Sequence, residues 1–115
     1  MNDKSAFSSF SCFLLTFVFI AFSPHTANSN ELTIGMTTAL SGPAKALGKE
    51  MKLGVETYFN KANKSGGVNG NMLKLIALDD GYEPSNAAPN MRRLIDREDV
   101  LAVIGNVGTP TAIVT

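Results

Sequence analysis

Short apolar segments alternate with amphipathic segments after residue 30, and this alternation constrains the fold more than any other feature. The apolar segments are rich in strand formers, whereas the amphipathic ones repeat apolar residues at helical spacing. Strands joined through helices must be parallel, and such crossovers are right-handed. We therefore predict an α/β fold: the parallel βαβαβ(α) half of a doubly wound, flavodoxin-like sheet with strand order 2-1-3. The predicted strands are Leu32–Met36, Leu73–Leu78 and Val100–Ile104, and the predicted helices run from Lys49 to about Ala62, over Ala87–Arg97 and onward from near Pro110.

Two details of these elements are also predicted. Pro89 should lie in the first turn of the second helix or kink that helix, because proline lacks the N–H that a helix interior uses. The third strand is a continuous apolar run, which is typical of a strand covered on both faces. The apolar face of the second helix should consist of Ala88, Met91, Leu94 and Ile95.

The stretch Phe10–Phe22 contains no charge, but it is shorter than the about 20 apolar residues that a membrane-spanning helix needs. A short charged start precedes it, and small residues follow, with Ala27 and Ser29 at the spacing of a cleavage site. This pattern predicts that residues 1–29 are a secretory signal peptide, removed after Ser29, and that residues 30–115 form the exported domain. An uncleaved membrane anchor is the alternative.

Charge and composition exclude several classes of protein. Ten basic and ten acidic side chains give a formal net charge of zero, whereas a nucleic-acid-binding protein would show a basic excess. One cysteine, Cys12, and one histidine, His25, cannot build a zinc site, an internal disulfide or, once the leader is removed, a Ser-His-Asp triad. Neither a dinucleotide-binding glycine motif nor a P-loop is present.

Three loops should meet at the carboxyl ends of the predicted strands, where doubly wound sheets bind their ligands. These loops are Thr37–Gly48, Asp79–Ser85 and Gly105–Pro110. We expect the binding site to lie among them.

Asp79 and Asp80, at the end of the second strand, allow two interpretations. They could hold a magnesium ion, as the carboxylates of an α/β enzyme would. They could instead cap the turn and the second helix that follow.

The loop Gly105–Thr111 also allows two interpretations. Its backbone N–H groups and the start of the third helix favour an anion such as a carboxylate. Alternatively, Thr109 is a simple N-cap, with Pro110 at the first helical position. Both can hold together, because a cap residue that faces a cleft can also bind a ligand.

Several short motifs, taken together and in order, resemble the start of periplasmic branched-chain amino acid binding proteins, the leucine/isoleucine/valine-binding receptors of ABC transporters. The resemblance implies a type I periplasmic binding fold of two lobes, with residues 30–115 forming part of the N-terminal lobe. It also implies a small amino-acid-like ligand, a membrane permease as partner, no cofactor and no catalysis. The motifs are Ile34–Met36, Leu40–Pro43, Leu47–Gly48, Asn60, Gly66–Gly70, Asp79–Asp80, Leu94–Ile95, Val100 and Val103–Gly105.

The resemblance carries over to individual positions. It implies that Thr109 supplies a hydroxyl, and Gly108 its close backbone, to the carboxylate of the ligand. Leu47 stands where leucine-binding members have an aromatic residue against the ligand, and Ser41 belongs to the same stretch. The family's paired cysteines, where present, fall at Tyr82 and Gly108, so that disulfide is absent here.

Two other functions remain open at this point. The ligand-sensing ectodomain of a signalling receptor would share this lobe. The magnesium-dependent α/β enzyme that uses Asp79 and Asp80 is the rival from a different class.

Overall fold

A computed structural model of the chain describes residues 30–115. Strands and helices alternate in the order that the sequence predicts. The predicted leader, residues 1–29, lies outside the described residues, so its cleavage after Ser29 stays a prediction. The elements are β1 (Glu31–Thr38), α1 (Lys45–Lys64), β2 (Met72–Asp79), α2 (Pro84–Asp96), β3 (Ala102–Val103) and α3 (Thr109–Val114).

The three strands form a parallel sheet in the order β2-β1-β3. Strand β1 pairs with β2 along its whole length, from Glu31 opposite Met72 to Thr38 opposite Asp79. The α/β class, the parallel pairing and the strand order 2-1-3 are therefore confirmed. Because β1 is central, the loops that follow β2 and β3 flank its carboxyl end.

The core lies between β1 and helix α2. Leu94 of α2 is fully buried and packs on Gly35, where an added Cβ would lie 3.1 Å from one Leu94 methyl carbon and 3.2 Å from the other. The glycine therefore lets the helix approach the central strand closely. The other buried apolar side chains are Met36, Ala39, Ala87 and Val107.

Helix α1 begins at Lys45, about one turn before the predicted start at Lys49. The first turn rests on the preceding loop, where the Lys45 N–H donates to the Gly42 carbonyl oxygen at 3.3 Å. Gly48, predicted to end a loop, is instead a buried helical residue against the backbone of Ala39. The loop after β1 is correspondingly shorter than predicted.

Helix α2 begins at Pro84, so Pro89 lies inside the helix and not in its first turn. Pro84 suits the first position because that residue has no helical hydrogen bond to lose. The buried face also differs from the prediction, since Ala87 is buried with Leu94 whereas Ile95 is 58% exposed.

Strand β3 is shorter and less covered than its apolar sequence predicts. Leu101 is 69% exposed and Ile104 is 37% exposed. Only Ala102 and Val103 pair with β1, and within residues 30–115 no strand lies on the other edge of β3. Helices supply the cover on the two faces of a parallel strand, and among residues 30–115 no helix packs extensively on β3.

Asn63 fixes the end of α1 to the sheet. Its amide nitrogen donates to the Leu73 carbonyl oxygen, and its Oδ1 accepts the Leu73 N–H, both at 2.8 Å. This pair of bonds sets the position of the helix end on β2.

No helix within residues 30–115 is long and apolar enough to cross a membrane.

Candidate functional site

Asp79 joins the loop after β1 to the turn after β2. Its Oδ1 atom accepts three backbone N–H groups, from Leu40 at 2.8 Å, Ser41 at 3.1 Å and Gly81 at 2.9 Å. One carboxylate oxygen therefore holds two of the three predicted loops together at the carboxyl edge of the sheet.

These contacts lower the pKa of the Asp79 carboxyl below its ordinary value. Burial acts first and in the opposite direction, because it disfavours the charged form. The Ser41 hydroxyl and the N–H groups of Gly81, Leu40 and Ser41 stabilise the carboxylate and outweigh burial. Asp79 is therefore held as an anion within a set of donors.

Asp80 faces the interior. Its Oδ2 accepts the Thr37 hydroxyl at 3.0 Å, and its Oδ1 accepts the Tyr82 N–H at 2.9 Å. Asp80 thus caps the turn, as one interpretation predicts. It does not cap helix α2, whose N-cap is Glu83 without a side-chain hydrogen bond. The helix-cap part of that interpretation is wrong, because the Tyr82 N–H and the Thr37 hydroxyl occupy the two oxygens of the Asp80 carboxylate.

Asn90 bonds the backbone of Asp79 and the Thr37 side chain that donates to Asp80, a role that our sequence reasoning missed. Its amide nitrogen donates to the Asp79 carbonyl oxygen at 2.9 Å and to Thr37 Oγ1 at 3.3 Å. Asn90 lies on α2 between Ala87 and Leu94, which are buried, whereas the face predicted from the sequence contained Ala88 and Ile95 and left Asn90 out. A polar residue at such a position usually bonds a buried polar partner.

The magnesium interpretation finds no support in this arrangement. Both oxygens of Asp80 accept hydrogen bonds from within the turn and β1. Across residues 30–115, no group of three or more histidine, cysteine, aspartate or glutamate side chains is close enough to hold a metal ion.

The N-cap of the helix after β3 lies one residue earlier than predicted. Gly108, with φ 101° and ψ 133°, is the N-cap of α3, and Thr109 is the first helical residue, followed by Pro110. The prediction that Thr109 is the N-cap with Pro110 at the first position is therefore wrong. Glycine tolerates this positive φ, so the chain can enter the helix at Gly108.

This arrangement leaves donors at the start of α3. The first N–H groups of a helix have no partner inside it, which applies here to Gly108, Thr109 and Thr111. Thr109 is exposed. Thr111 is buried, and its hydroxyl reaches the Val107 carbonyl oxygen at 2.7 Å and that of Gly108 at 2.9 Å. No pattern in the sequence predicted that Thr111 would support the loop.

The turn Gly81–Tyr82 lies between two of the predicted ligand contacts. On one side, a Cβ added to Gly81 would lie 3.6 Å from the Ser41 hydroxyl oxygen. On the other side, the Tyr82 ring covers Gly108. Positions 82 and 108, at which the resemblance places the family's paired cysteines, are thus in direct contact without a disulfide. Ser41 and Gly108 contact the same turn from two different loops.

Leu47 lies on α1 and is 60% exposed. It lines an open apolar groove of about 590 Å³ between that helix and the end of β3. The structure places Leu47 in the same groove as Ile104, which directly precedes the Gly105–Thr111 loop. The other apolar residues of the groove are Met51, Val55, Tyr58 and Phe59.

The sheet, its order and its loops match a known family. The family model described as periplasmic binding protein matches residues 31–115. The chain belongs to the periplasmic binding protein family. The relatives of the chain include branched-chain amino acid binding proteins. The family is described by ligand binding.

Among the relatives, Leu/Ile/Val-binding protein homolog 3 of Brucella melitensis is 32% identical over 83 residues, 72% of this chain and 22% of the relative. A chemotactic signal transduction system substrate-binding protein of Halobacterium salinarum is 34% identical, over 71% of this chain and 21% of the relative. The crystal structure of a possible leucine/isoleucine/valine-binding protein from Rhodopirellula baltica has 52% identity and a TM-score of 0.74, covering 80% of this chain and 25% of that structure. The chain thus spans about a fifth of the length of the curated relatives it matches.

Proposed function

We propose that this chain contributes the carboxylate-binding part of an extracytoplasmic receptor for an amino acid or a similar small carboxylate or amide. The receptor would deliver its ligand to the membrane permease of an ABC transporter and would catalyse no reaction. The observation that carries the proposal is the meeting of three loops in a periplasmic binding protein: Asp79 joins the loops after β1 and β2, and the Tyr82 ring packs on Gly108, which precedes the exposed Thr109.

The chemistry of this edge favours a carboxylate over a cation. The N–H groups of Gly108, Thr109 and Thr111 have no partners inside α3, and a helix start carries partial positive charge. The Thr109 hydroxyl adds one more donor. In this proposal Ser41 lines the same rim across the Gly81–Tyr82 turn, and Leu47 takes the place of an aromatic contact to the ligand side chain.

Export to the periplasm belongs to the same proposal. The uncharged stretch Phe10–Phe22 and the small residues at Ala27 and Ser29 support a leader that is removed during secretion. The receptor would then meet its ligand outside the inner membrane.

A sensory receptor is the second candidate. It is favoured by the similarity to the chemotactic signal transduction substrate-binding protein of Halobacterium salinarum. Both candidates bind a small ligand at the same edge and differ in the membrane partner, so co-purification with a permease or with a signal transducer distinguishes them.

The experiment that tests carboxylate binding uses three matched ligands and calorimetric titration of the full polypeptide. L-Leucine carries both the amino group and the carboxylate, L-leucinamide lacks the carboxylate, and 4-methylpentanoate lacks the amino group. We expect L-leucine to bind and L-leucinamide to lose at least about tenfold in affinity, since a hydrogen bond to a charged group contributes about 1.5–3 kcal/mol. Equal binding of L-leucine and L-leucinamide would refute a carboxylate site.

A further inference from the structure

The ring of Tyr82 lies directly on Gly108. A Cβ added to Gly108 would lie 2.7 Å from Cζ and 3.0 Å from the hydroxyl oxygen of Tyr82, which is too close for any side chain. The tyrosine is 36% exposed, so one part of the ring is covered and another part reaches the surface. The two residues are therefore complementary: the large ring fits because position 108 has no side chain.

The backbone conformation of Tyr82 directs its ring toward the loop that contains Gly108. Tyr82 has a φ of 69°, in the left-handed region that residues other than glycine seldom adopt. Its N–H donates to Asp80 Oδ1 at 2.9 Å, and the next N–H, from Glu83, donates to the Asp80 carbonyl oxygen at 2.9 Å. The buried Asp80 thus holds a backbone conformation that a tyrosine would otherwise leave.

Gly108, the loop residue under the ring, can adopt several backbone conformations, so contacts with other residues must restrict it. Gly108 has φ 101° and ψ 133°, a conformation open to glycine and rarely to other residues, and glycine can leave it as easily as adopt it. On its other side, the Gly108 carbonyl oxygen accepts the Thr111 hydroxyl at 2.9 Å. The ring and this hydroxyl thus both contact Gly108.

We propose that Tyr82 is a positioning residue for the ligand loop: its ring holds Gly108 in this conformation, so that the N–H groups of Gly108 and Thr109 point to one place. The proposal rests on the proposed function, in which those N–H groups hold the ligand's carboxylate. Tyr82 acts through Gly108, by the bulk of its ring. Its hydroxyl is not required.

The test compares three variants of the full polypeptide, Tyr82→Phe, Tyr82→Leu and Tyr82→Ala. The first keeps the ring over Gly108 and removes the hydroxyl, the second replaces the ring by a bulky side chain without a ring current, and the third removes the cover. Calorimetric titration with L-leucine gives the affinity. NMR spectra of ligand-free protein give the resonance of Gly108, which labelling of valine carbonyl carbons and glycine nitrogens assigns because Gly108 follows Val107.

We expect Tyr82→Phe to keep both the L-leucine affinity and the Gly108 resonance of the unmodified protein. Tyr82→Leu keeps a bulky cover without a ring current, so its Gly108 resonance is the reference value, and it should retain most of the affinity. Tyr82→Ala removes the cover as well, so it should move the Gly108 resonance away from the Tyr82→Leu value before any ligand is added and weaken L-leucine binding about tenfold or more. If Tyr82→Ala does not fold, Tyr82→Leu still tests the role of bulk, since a large loss of affinity in that variant would contradict it.

Three outcomes would overturn the positioning role. Weaker binding by Tyr82→Ala with the same Gly108 resonance as Tyr82→Leu would mean that the ring touches the ligand itself. Equal losses in Tyr82→Phe and Tyr82→Ala would assign the effect to the hydroxyl, and an unchanged affinity in Tyr82→Ala would remove any role. A protein that binds no L-leucine contradicts the proposed function alone, and the Gly108 resonance then decides whether the ring positions the loop.

Discussion

The Thr37 hydroxyl donates a buried hydrogen bond of 3.0 Å to Asp80 Oδ2, while the neighbouring Asp79 carboxylate is exposed and collects backbone N–H groups from two loops. Successive residues of a strand point to opposite faces, and Asp80 directly follows the last residue of β2. The two adjacent aspartates therefore stabilise different parts of the site. Asp80 ties the turn to the central strand from inside, and Asp79 holds the loops from outside.

Asp79→Asn should lower the melting temperature of the full polypeptide near neutral pH, because a neutral amide oxygen accepts the three N–H groups less strongly than a carboxylate. The lowered pKa of Asp79 sets the pH dependence. Its stabilisation is fully present above the unfolded pKa of about 3.9 and is lost as the pH falls through the lower folded value.

Thermal unfolding of both proteins between about pH 7 and about pH 2 checks this expectation. The difference between them should be constant above about pH 5 and disappear in acid. Asp96→Asn, at the end of α2, is the control for removal of one negative charge. A difference that persists to the lowest pH would contradict the role given to the Asp79 charge.

Gly48→Ala should destabilise the protein by about 3 kcal/mol or more, since the new methyl group would overlap the Ala39 backbone. Gly54 in the same helix is the matched control, because a Cβ added there meets nothing within 4 Å. Gly54→Ala should be neutral or should raise stability by up to about 1 kcal/mol.

Denaturant unfolding of the two variants measures both changes in the free energy of unfolding. Similar values for Gly48→Ala and Gly54→Ala would show that the helix start does not press on the loop after β1.

Thr109→Ala should weaken L-leucine binding about tenfold to a hundredfold while it leaves the melting temperature unchanged. The loss of affinity follows because a hydrogen bond to a charged group contributes about 1.5–3 kcal/mol, and each 1.4 kcal/mol is a factor of ten. The stability expectation follows from the structure, in which Gly108 and not Thr109 caps α3. Thr109→Ser keeps the hydroxyl and should cost much less affinity.

Thr111→Val is the contrasting variant. It removes a buried hydroxyl that serves two carbonyl oxygens, so stability should fall by about 1–3 kcal/mol. Titration beside thermal unfolding separates the two threonines. Unchanged affinity in Thr109→Ala would remove that hydroxyl from the site and leave the backbone donors alone.

The segment 30–115, produced by itself, should associate in solution. The groove along α1 exposes Leu47, Met51 and Tyr58, and a net charge near zero gives little repulsion between copies. Sedimentation should show species larger than a monomer, together with binding of a hydrophobic dye.

Replacing Leu47 and Tyr58 by lysine in that segment should raise the monomer fraction. Thr57→Lys, exposed on the same helix, adds a charge outside the groove and should have a smaller effect. A segment that is monomeric, unfolds cooperatively and binds no dye would contradict the prediction.

Export should yield a protein that begins at Asn30 or within one or two residues of it. N-terminal sequencing of the periplasmic fraction measures this directly. Ala27→Asp should block processing, since the cleavage site requires small residues. A periplasmic protein that still carries Phe10–Phe22 would support the membrane-anchor alternative.

The sheet could be predicted from the sequence because each of its strands is marked by residues that are neighbours in the chain. Strands β1 and β2 are marked by their strand formers, and the helical spacing between them requires parallel pairing. The start of α1 was missed because Gly48 resembles a loop residue, and only its contact with Ala39 shows why a glycine lies inside the helix. The cover of β3 could not be read from its own residues, because burial depends on the elements that surround a strand.

The candidate site shows the same division. The meeting of the three loops follows from the topology, so the sequence predicts it. The contacts that hold the loops, from Asp79 to Leu40 and from Asn90 to Thr37, join residues that are far apart in the chain. No local pattern specifies such pairs. The N-cap at Gly108 was missed for a different reason, since threonine is the commoner cap residue and only the backbone angles identify the glycine.

The two hydrogen bonds between Asn63 and the backbone of β2 affect the choice of expression host. Asn63 begins an Asn-Lys-Ser sequon, which a eukaryotic secretory pathway can glycosylate while the chain is still unfolded. A sugar on that nitrogen would have to fit between the end of α1 and Leu73, where the amide now bonds at 2.8 Å. Protein secreted from yeast or mammalian cells should therefore be obtained misfolded or in low yield unless Ser65 is replaced by alanine, whereas production in a bacterial periplasm avoids the modification.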